Sequence, residues 1–183
     1  MPAETDDDLL LRVASADGDA FEELMNRYLD PVHGYAQRML GMPSAADDVT
    51  QDWFLRVWQS AAGRNPAAPA RAWIWRIAHN VVIDHLRARR PTVDVTAVEL
   101  ADQRPDPERQ QQSKETTEQV QAAIAQLPDR QRAALALVHD QGLSGHQAAE
   151  VLDISVDALE SLLARARRGL KASLQDVKTV LLE

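Results

Sequence analysis

Apolar residues recur at spacings of three and four along almost the whole chain, which is the period of an amphipathic α-helix. The pattern is clearest after "ADGD", where a wide apolar stripe is formed by Phe21, Leu24, Met25, Tyr28, Val32 and Tyr35. Glycine and proline lie mostly at the breaks between such stretches, although Pro31 and Gly34 lie within the second one, and nothing in the sequence is typical of a sheet. The pattern therefore predicts an all-α fold.

Four helices are predicted in the first ninety residues. The first covers about residues 6–16, and the second begins at Asp19, because Glu22 three positions later completes a capping-box pattern. Ser44 is the predicted cap of the third helix, which contains "AADDVTQDWFLRVWQSA". The fourth follows the proline-broken loop "GRNPAAPA" and occupies residues 73–90.

A change of composition divides the chain after residue 90. Residues 91–112 contain three prolines, an excess of acidic residues and no sustained period, so they are predicted to form an acidic extended linker. The sequence thus predicts two small helical domains, residues 1–90 and residues 113–183, each with a modest core.

The second domain has the spacing of a helix-turn-helix. A helix over 129–140 is predicted to end at Gly142, and Ser144 with Gln147 forms a capping box that begins a short helix. The residues "DIS" make a turn, and Ser155 caps a longer helix. This order predicts a helix-turn-helix four-helix module, whose long helix enters the major groove of DNA.

The long helix has an apolar side and a basic side. Arginine offers a planar fork of donors that suits phosphates and guanine, although Glu160 near the start of the helix would repel a phosphate. The alternative is the solvated face of an ordinary amphipathic helix. The candidate DNA contacts on this helix are Ser155, Ser161, Arg165, Arg167, Arg168 and Lys171.

Charge and composition narrow the classes of function. The net charge is −8, but residues 61–90 contain six basic side chains and one acidic one, which makes this segment a local cationic island. There is no cysteine and no HxxxH spacing among the five histidines, so no metal and no other cofactor is predicted. The acidic start and the absence of a long apolar run predict a cytoplasmic protein without membrane insertion.

The cationic island coincides with the fourth predicted helix. A helical projection places Ile74, Ile77, Ala78, Val81 and Ala88 on its core side, while Trp75 is predicted to pack against a neighbouring helix. Rings and cations together bind single-stranded nucleic acid. The alternative is that the tryptophan belongs to the core and the histidine is an ordinary surface residue. The candidates on the opposite side and in the adjoining arginine cluster are Trp73, Arg76, His79, Asn80, Arg87, Arg89 and Arg90.

The third predicted helix carries an acidic edge beside apolar residues. Such an edge suits a partner helix that bears arginines, although a solvated acidic face has the same pattern. Its candidate contacts are Asp47, Asp48, Gln51, Asp52 and Leu55.

Four segments, in order, closely resemble the extracytoplasmic-function (ECF) sigma factors of bacterial RNA polymerase, over about residues 8–175. "DAFEELMNRYLDPVHGYAQRML" resembles their first conserved segment, and "ADDVTQDWFLRVWQ" resembles the helix that docks on a coiled coil of the β′ subunit. "ARAWIWRIAHNVVIDHLRARR" resembles the segment that melts and reads the −10 promoter element. "LPDRQRAAL" through "RARRGLK" resembles the module that binds the −35 element.

This resemblance implies a non-enzymatic factor that binds core RNA polymerase (its β′ and β subunits) and promoter DNA and is commonly restrained by an anti-sigma factor. It also implies that the loop at 63–70 and the fourth helix capture a base flipped from one strand, with Arg76, Asn80 and the arginine cluster nearest. The acidic linker would run towards the polymerase active centre. The chain departs from the family pattern where "DALES" replaces a common "GTVKS", which leaves the −35 preference open.

Two alternatives remain from the sequence. The first is a helix-turn-helix regulator that binds duplex DNA as a dimer without polymerase. The second is a decoy that sequesters an anti-sigma factor without touching DNA, which the retained arginines of both domains disfavour. An enzyme is disfavoured because no base, nucleophile or metal constellation is recognisable.

Overall fold

The computed structural model describes residues 4–89 and 111–180, with side chains described outside 111–117 and 176–180. These residues form eight α-helices and no strand, so the all-α prediction is confirmed. The helices are α1 (Asp6–Ala14), α2 (Gly18–Leu40), α3 (Pro43–Ser60), α4 (Ala70–Ala88), α5 (Gln111–Ala125), α6 (Asp129–Leu135), α7 (Gly145–Leu152) and α8 (Val156–Val180).

The core of the first four helices is built on the predicted apolar stripe of α2. Tyr28 and Tyr35 are buried, and their rings pack edge-on against Trp75 of α4 at centroid distances of 6.3 and 5.6 Å. Trp53 of α3 is fully buried and lies 6.3 Å from Tyr28. Large rings bury much apolar area at a low entropic cost, so these four aromatic residues hold α2, α3 and α4 together.

Three of the predicted helix starts are wrong, and the fourth helix, predicted from residue 73, begins at Ala70. The N-cap of α2 is Asp17, whose carboxylate accepts hydrogen bonds from the amides of Asp19 and Ala20 at 3.0 and 3.1 Å, so the predicted cap Asp19 lies inside the first turn. The third helix begins at Pro43, one residue before the predicted cap Ser44, and has no side-chain cap. Proline suits this first position because its missing N–H would have no partner there.

The helix-turn-helix prediction agrees closely with the structure of the second half. Ser144 and Gln147 form the predicted capping box at the start of α7, and Gly142 before it has a φ of +63°, a conformation that favours glycine. Asp153 ends α7 in the left-handed region, and the Ser155 hydroxyl accepts a hydrogen bond from the amide of Ala158 at 3.1 Å. The helix predicted over 129–140 is α6 extended by a π-helical turn.

The last four helices pack against the first four, with α7 lying on α4. Apolar residues of both groups form one continuous buried cluster. Arg38 of α2 pairs with Asp140 at 2.7 Å, and the guanidinium of Arg132 donates to the carbonyl of Met39 at 3.2 Å. This packing places the helix-turn-helix beside the helix that carries the cationic island.

Two further predictions concern the connection and the membrane. Of the predicted linker, 91–112, residues 91–110 lie outside the described residues. Residues 111 and 112 belong to α5, which begins at Gln111. Among the described helices, none combines the length and the apolar character that crossing a membrane requires.

Candidate nucleic-acid interface

Most of the first turn of α4 is buried, which corrects the placement of Trp73. Residues 72–75 are all buried, and Trp73 itself is only 8% exposed, although the helical projection put it on the outer face. The reason is that α1, α2 and α3 all contact α4, so Trp73 has no open side even though Arg71 in the same turn is exposed. Trp73 is therefore a core residue and offers no open ring to a base, whereas Trp75 packs against its neighbours as predicted.

The C-terminal part of α4 has the predicted open side. Arg76, Asn80 and Arg87 are exposed, while Ala78 and Val81 are buried on the core side. Ala88, which was also assigned to the core side, is exposed, because the helix projects beyond its neighbours there. Arg89 is exposed, and its guanidinium contacts the sulfur of Met42. Arg90 lies outside the described residues.

His79 also departs from its predicted position on an open face. It is half-buried, and its Nδ1 lies 2.8 Å from the hydroxyl of Tyr35. Burial, together with the nearby cation of Arg130, lowers the pKa of His79 to about 4. The imidazole is therefore neutral at pH 7 and does not supply a positive charge for a phosphate.

A cleft of about 320 Å³ opens between α3 and α4, beside the exposed Asn80. Its walls combine a guanidinium, two amide groups, a hydroxyl and an apolar side chain. Arg56, at its edge, pairs with Asp84 at 2.9 Å across the two helices. The residues that line the cleft are Arg56, Gln59, Ser60, Ile77 and Asn80.

Sequence reasoning missed four of these lining residues. Arg56, Gln59 and Ser60 were not candidates, and Ile77, which was assigned to the core side, is only half-buried and lines the cleft. One feature of the sequence could have indicated Arg56, Gln59 and Ser60. They lie at the end of α3, directly before the proline-broken loop that leads into the cationic helix. Helical periodicity alone did not indicate them, because it does not show which faces of two successive helices meet.

The helix-turn-helix lies over the flank of α4 that includes Asn80 and Arg87. A second cleft, of about 400 Å³, lies between the two groups of helices. From α4 it is lined by His79, Asn80, Ile83 and Arg87, and from the end of α7 by Val151, Leu152 and Asp153. One flank of the cationic helix is therefore shared with the second half of the chain, while the cleft beside α3 is lined by residues of the first half alone.

The predicted acidic edge of α3 is open at most of its positions. Asp47, Asp48 and Gln51 are exposed, and the side chain of Leu55 is 59% exposed. Asp52 is half-buried and pairs with His85 of α4 at 3.0 Å. Trp58, one turn further along, is 40% exposed and packs edge-on against Phe21 at 4.9 Å. Carboxylates beside exposed apolar side chains form a surface that suits a basic amphipathic partner.

The last helix presents its predicted basic side to solvent. Leu159, Leu163 and Ala166 are buried against the module, so the apolar side was predicted correctly. A shallow groove beside α8 contains Glu160, Ser161 and Arg167 together, which places a carboxylate and a guanidinium on one surface. The exposed candidates are Ser155, Ser161, Arg165, Arg167, Arg168 and Lys171.

The sequence matches two families of known proteins over these same regions. Residues 24–92 match Sigma-70 region 2, which here comprises most of α2 together with α3 and α4. Residues 117–170 match Sigma-70, region 4, which includes the helix-turn-helix.

Similar proteins resemble the chain over nearly its full length. The ECF RNA polymerase sigma factor SigK of Mycobacterium sp. is 32% identical over 186 residues, which cover 91% of this chain and 90% of the relative. A solved structure of CnrH in complex with the cytosolic domain of CnrY has a TM-score of 0.73 and 29% identity, covering 94% of this chain and 99% of that one. The sigma factor RpoE of Bartonella quintana, solved with the anti-sigma factor NepR, shares the fold, with a TM-score of 0.67 at 20% identity over 85% of this chain and 96% of that one.

Proposed function

Because the chain belongs to the ECF sigma factors of RNA polymerase, we propose that its first four helices perform two separate tasks. The acidic edge of α3 binds core polymerase, and the open side of α4 holds one strand of melted promoter DNA. The cleft between α3 and α4 is the observation that carries this proposal, because it joins a guanidinium, amides and an apolar wall beside exposed arginines.

The cleft has the chemistry that an unstacked base requires. The amides of Gln59 and Asn80 can both donate to and accept from a base edge, and Ile77 with the guanidinium plane of Arg56 can cover a base face. Extruding a base costs a few kcal/mol, and such contacts can offset this cost. In this proposal the base stacks on residues that line the cleft and not on Trp73, as was predicted.

The exposed arginines of α4 supply the electrostatic part of DNA binding. Arg76 and Arg87 lie on the same side as Asn80, and Arg89 extends this side towards the end of the helix. Cations that follow the phosphates provide affinity without sequence information, whereas the amides provide discrimination. The two kinds of contact therefore have distinct effects when they are removed.

The second half of the chain contributes binding to duplex DNA at the −35 element. The exposed basic side of α8 meets the phosphates and base edges of a major groove, as the second helix of a helix-turn-helix does. Glu160 favours a cytosine amino group at its position over a phosphate, because a carboxylate can only accept hydrogen bonds.

Three further statements belong to the same proposal. The protein acts in the cytoplasm, has no catalytic activity of its own and leaves the chemistry of RNA synthesis to the polymerase. An anti-sigma factor restrains it by covering the surfaces that polymerase needs. The similarity to CnrH, whose structure was solved with the cytosolic domain of CnrY, supports this last statement.

Run-off transcription tests the proposal as a whole. The full chain, core RNA polymerase and a promoter library are combined, and we expect promoter-specific transcripts that neither the chain nor the core produces alone. A preparation that binds core polymerase but yields no promoter-specific transcript would contradict the proposal. Duplex binding without core polymerase, together with no transcript, would favour an independent helix-turn-helix regulator.

Replacing Arg87, Arg89 and Arg90 together with alanine tests the task of α4. We expect open-complex formation to be lost, because the phosphate contacts that hold the separated strand are removed. Binding to core polymerase, measured on the same preparation, should stay largely intact, since the acidic edge of α3 is unchanged. Promoter melting at the wild-type level, followed by permanganate reactivity of thymines, would show that the assignment of this face is wrong.

A further inference from the structure

The loop that joins α3 to α4 contains a buried arginine, Arg64. The Arg64 side chain is only 4% exposed. In the described part of the chain, the buried polar or charged residues are Arg64 and Thr50. Burying a guanidinium is unfavourable unless its donors are paired, so the contacts of Arg64 indicate what its burial achieves.

The guanidinium of Arg64 connects three parts of the structure. One of its nitrogens, Nη2, donates to the carboxylate of Asp7 in α1 at 2.5 Å and also to the backbone carbonyl of Ala68 at the other end of the loop. Its Nε is buried and has no hydrogen-bond partner among the described residues. The side chain thus closes the loop across its base and ties the closed loop to α1.

The tip of the loop is held by its own hydrogen bonds. The Asn65 side chain accepts from the amide of Ala67 at 3.0 Å, and its backbone carbonyl accepts from the amide of Ala68 at 3.1 Å. Pro66 and Pro69 restrict the backbone further, and Pro69 is the N-cap of α4. This compact turn remains exposed at residues 65–67, directly before the cationic helix.

We propose that Arg64 is a positioning residue for base recognition in the −10 element. It touches no DNA itself, but it fixes the exposed tip of the loop relative to α1 and to the start of α4. The inference rests on the proposed function, in which the cleft between α3 and α4 takes up an unstacked base, and it adds to that site the exposed tip of the loop that joins these two helices. A tip held in one place discriminates between bases by shape and hydrogen bonding, whereas a loose tip accepts several.

The same geometry distinguishes positioning from general stability. Removing the Arg64 cation does not strand a buried partner, because the Asp7 side chain is 54% exposed and can be hydrated. The carbonyl of Ala68 belongs to a loop with exposed neighbours. Arg64→Met retains most of the apolar stem and removes both ties, so the loop is expected to loosen while the helices around it stay folded.

The test uses wild-type and variant chains assembled with core polymerase. Affinity is measured for single-stranded non-template oligonucleotides that carry each of the four bases at each −10 position. We expect the preference of Arg64→Met for the best base at one position to fall roughly tenfold, since a displacement of about 1 Å can cost up to a hundredfold. Affinity for core polymerase should not change.

Two further variants and a control complete the design. Arg64→Lys keeps the charge, but its ammonium ends one bond short of the position of Nη2, the nitrogen that donates to both acceptors, so it should resemble Arg64→Met. Asp7→Ala cuts the tie to α1 alone and should give a smaller loss of base preference, and it decides the matter if Arg64→Met does not fold. Arg12→Met is the control, because Arg12 pairs with Glu4 and Asp17 away from the loop.

The outcomes separate this inference from the proposed function. If wild-type holoenzyme shows no base preference at any −10 position, the proposed function of the α4 face is wrong. If the wild type discriminates, and folded Arg64→Met and Asp7→Ala discriminate equally well, Arg64 is only a structural residue and the inference is overturned.

Discussion

His79 is half-buried, and its pKa lies well below physiological pH. Its ring lies against the Tyr35 hydroxyl, and burial, with help from Arg130, lowers its pKa to about 4. In the unfolded chain a histidine takes up its proton near pH 6.5. Between these two values the unfolded state binds more protons than the folded state, so the free energy of unfolding rises with pH in this window.

The protein should therefore lose stability as the pH falls from about 6.5 towards 4. The loss attributable to His79 is at most about 3 kcal/mol, since each pH unit of pKa shift corresponds to about 1.4 kcal/mol. His79→Gln should flatten this part of the profile, measured as thermal midpoint against pH. His146→Gln is the matched control, because His146 is exposed. An unchanged slope in His79→Gln would contradict the assigned cause.

The residues of α4 show what a helical projection can predict. It assigned Ile74 and Val81 to the core and Asn80 to the open side correctly, because one face of an amphipathic helix follows directly from residue spacing. It misplaced Trp73, because spacing cannot indicate that other helices surround the first turn. For the same reason, the partner of His79 on α2 could not be predicted from sequence.

At the level of elements, the start of a helix was predicted correctly where only one residue suits the N-cap and wrongly where several residues suit it. The Ser144 capping box is unambiguous, since both of its hydrogen bonds are made by residues three positions apart. At the start of α2, Asp17 and Asp19 both suit the N-cap. The capping-box pattern favoured Asp19, whereas the cap in the structure is Asp17. The cleft between α3 and α4 could not be predicted, because its lining comes from two helices whose facing sides are set by packing.

The acidic edge of α3 leads to a prediction for that element. Replacing Asp48 and Asp52 together with lysine should weaken binding to core polymerase, because the carboxylates facing a basic partner become repulsive cations. The loss should diminish as the salt concentration rises, since screening weakens contacts between exposed charges. The measurement is the affinity for core polymerase over a salt series.

The control for this prediction is chosen to carry the same kind of charge change. Glu150→Lys lies on the exposed side of α7 and should leave polymerase affinity close to that of the wild type. Asp48→Lys alone separates the two positions, because Asp52 is paired with His85 and its replacement also removes that contact. If the double variant and the control bind core polymerase with equal affinity, the acidic edge of α3 does not contact polymerase.

For the molecule as a whole, the arrangement of its two halves bears on function. The halves share a buried apolar cluster and the pair between Arg38 and Asp140, and α7 covers one flank of α4. The sequence predicted both halves but not the contact between them. The residues that make this contact lie far apart along the chain, and the pattern of each is already explained by packing within its own half. The cleft of about 400 Å³ along α4 therefore depends on how the halves sit together, whereas the cleft beside α3 is lined by the first half alone.

If the two halves bind the −10 and −35 elements as proposed, this packed arrangement cannot bind both elements at once. Elements at −35 and −10 are about 25 base pairs apart, which is roughly 85 Å along duplex DNA at about 3.4 Å per base pair. Helices α4 and α7 are in contact here and cannot reach both elements at once. The stretch between Arg89 and Gln111 is about 22 residues long and can reach roughly 75 Å when extended, which, with the size of the halves themselves, is enough.

We therefore expect the two halves to separate when polymerase and promoter bind. The chain contains no cysteine, so Asp30→Cys on α2 and Glu150→Cys on α7 give two specific positions for fluorescent labels on exposed residues. Energy transfer should be high in the free protein and fall when core polymerase and a promoter are added together. Since Arg38 and Asp140 join the halves, Arg38→Ala should lower transfer in the free protein in the same direction. Transfer that stays high in a transcribing complex would mean that the contact between α4 and α7 persists and that the two elements are not read as proposed.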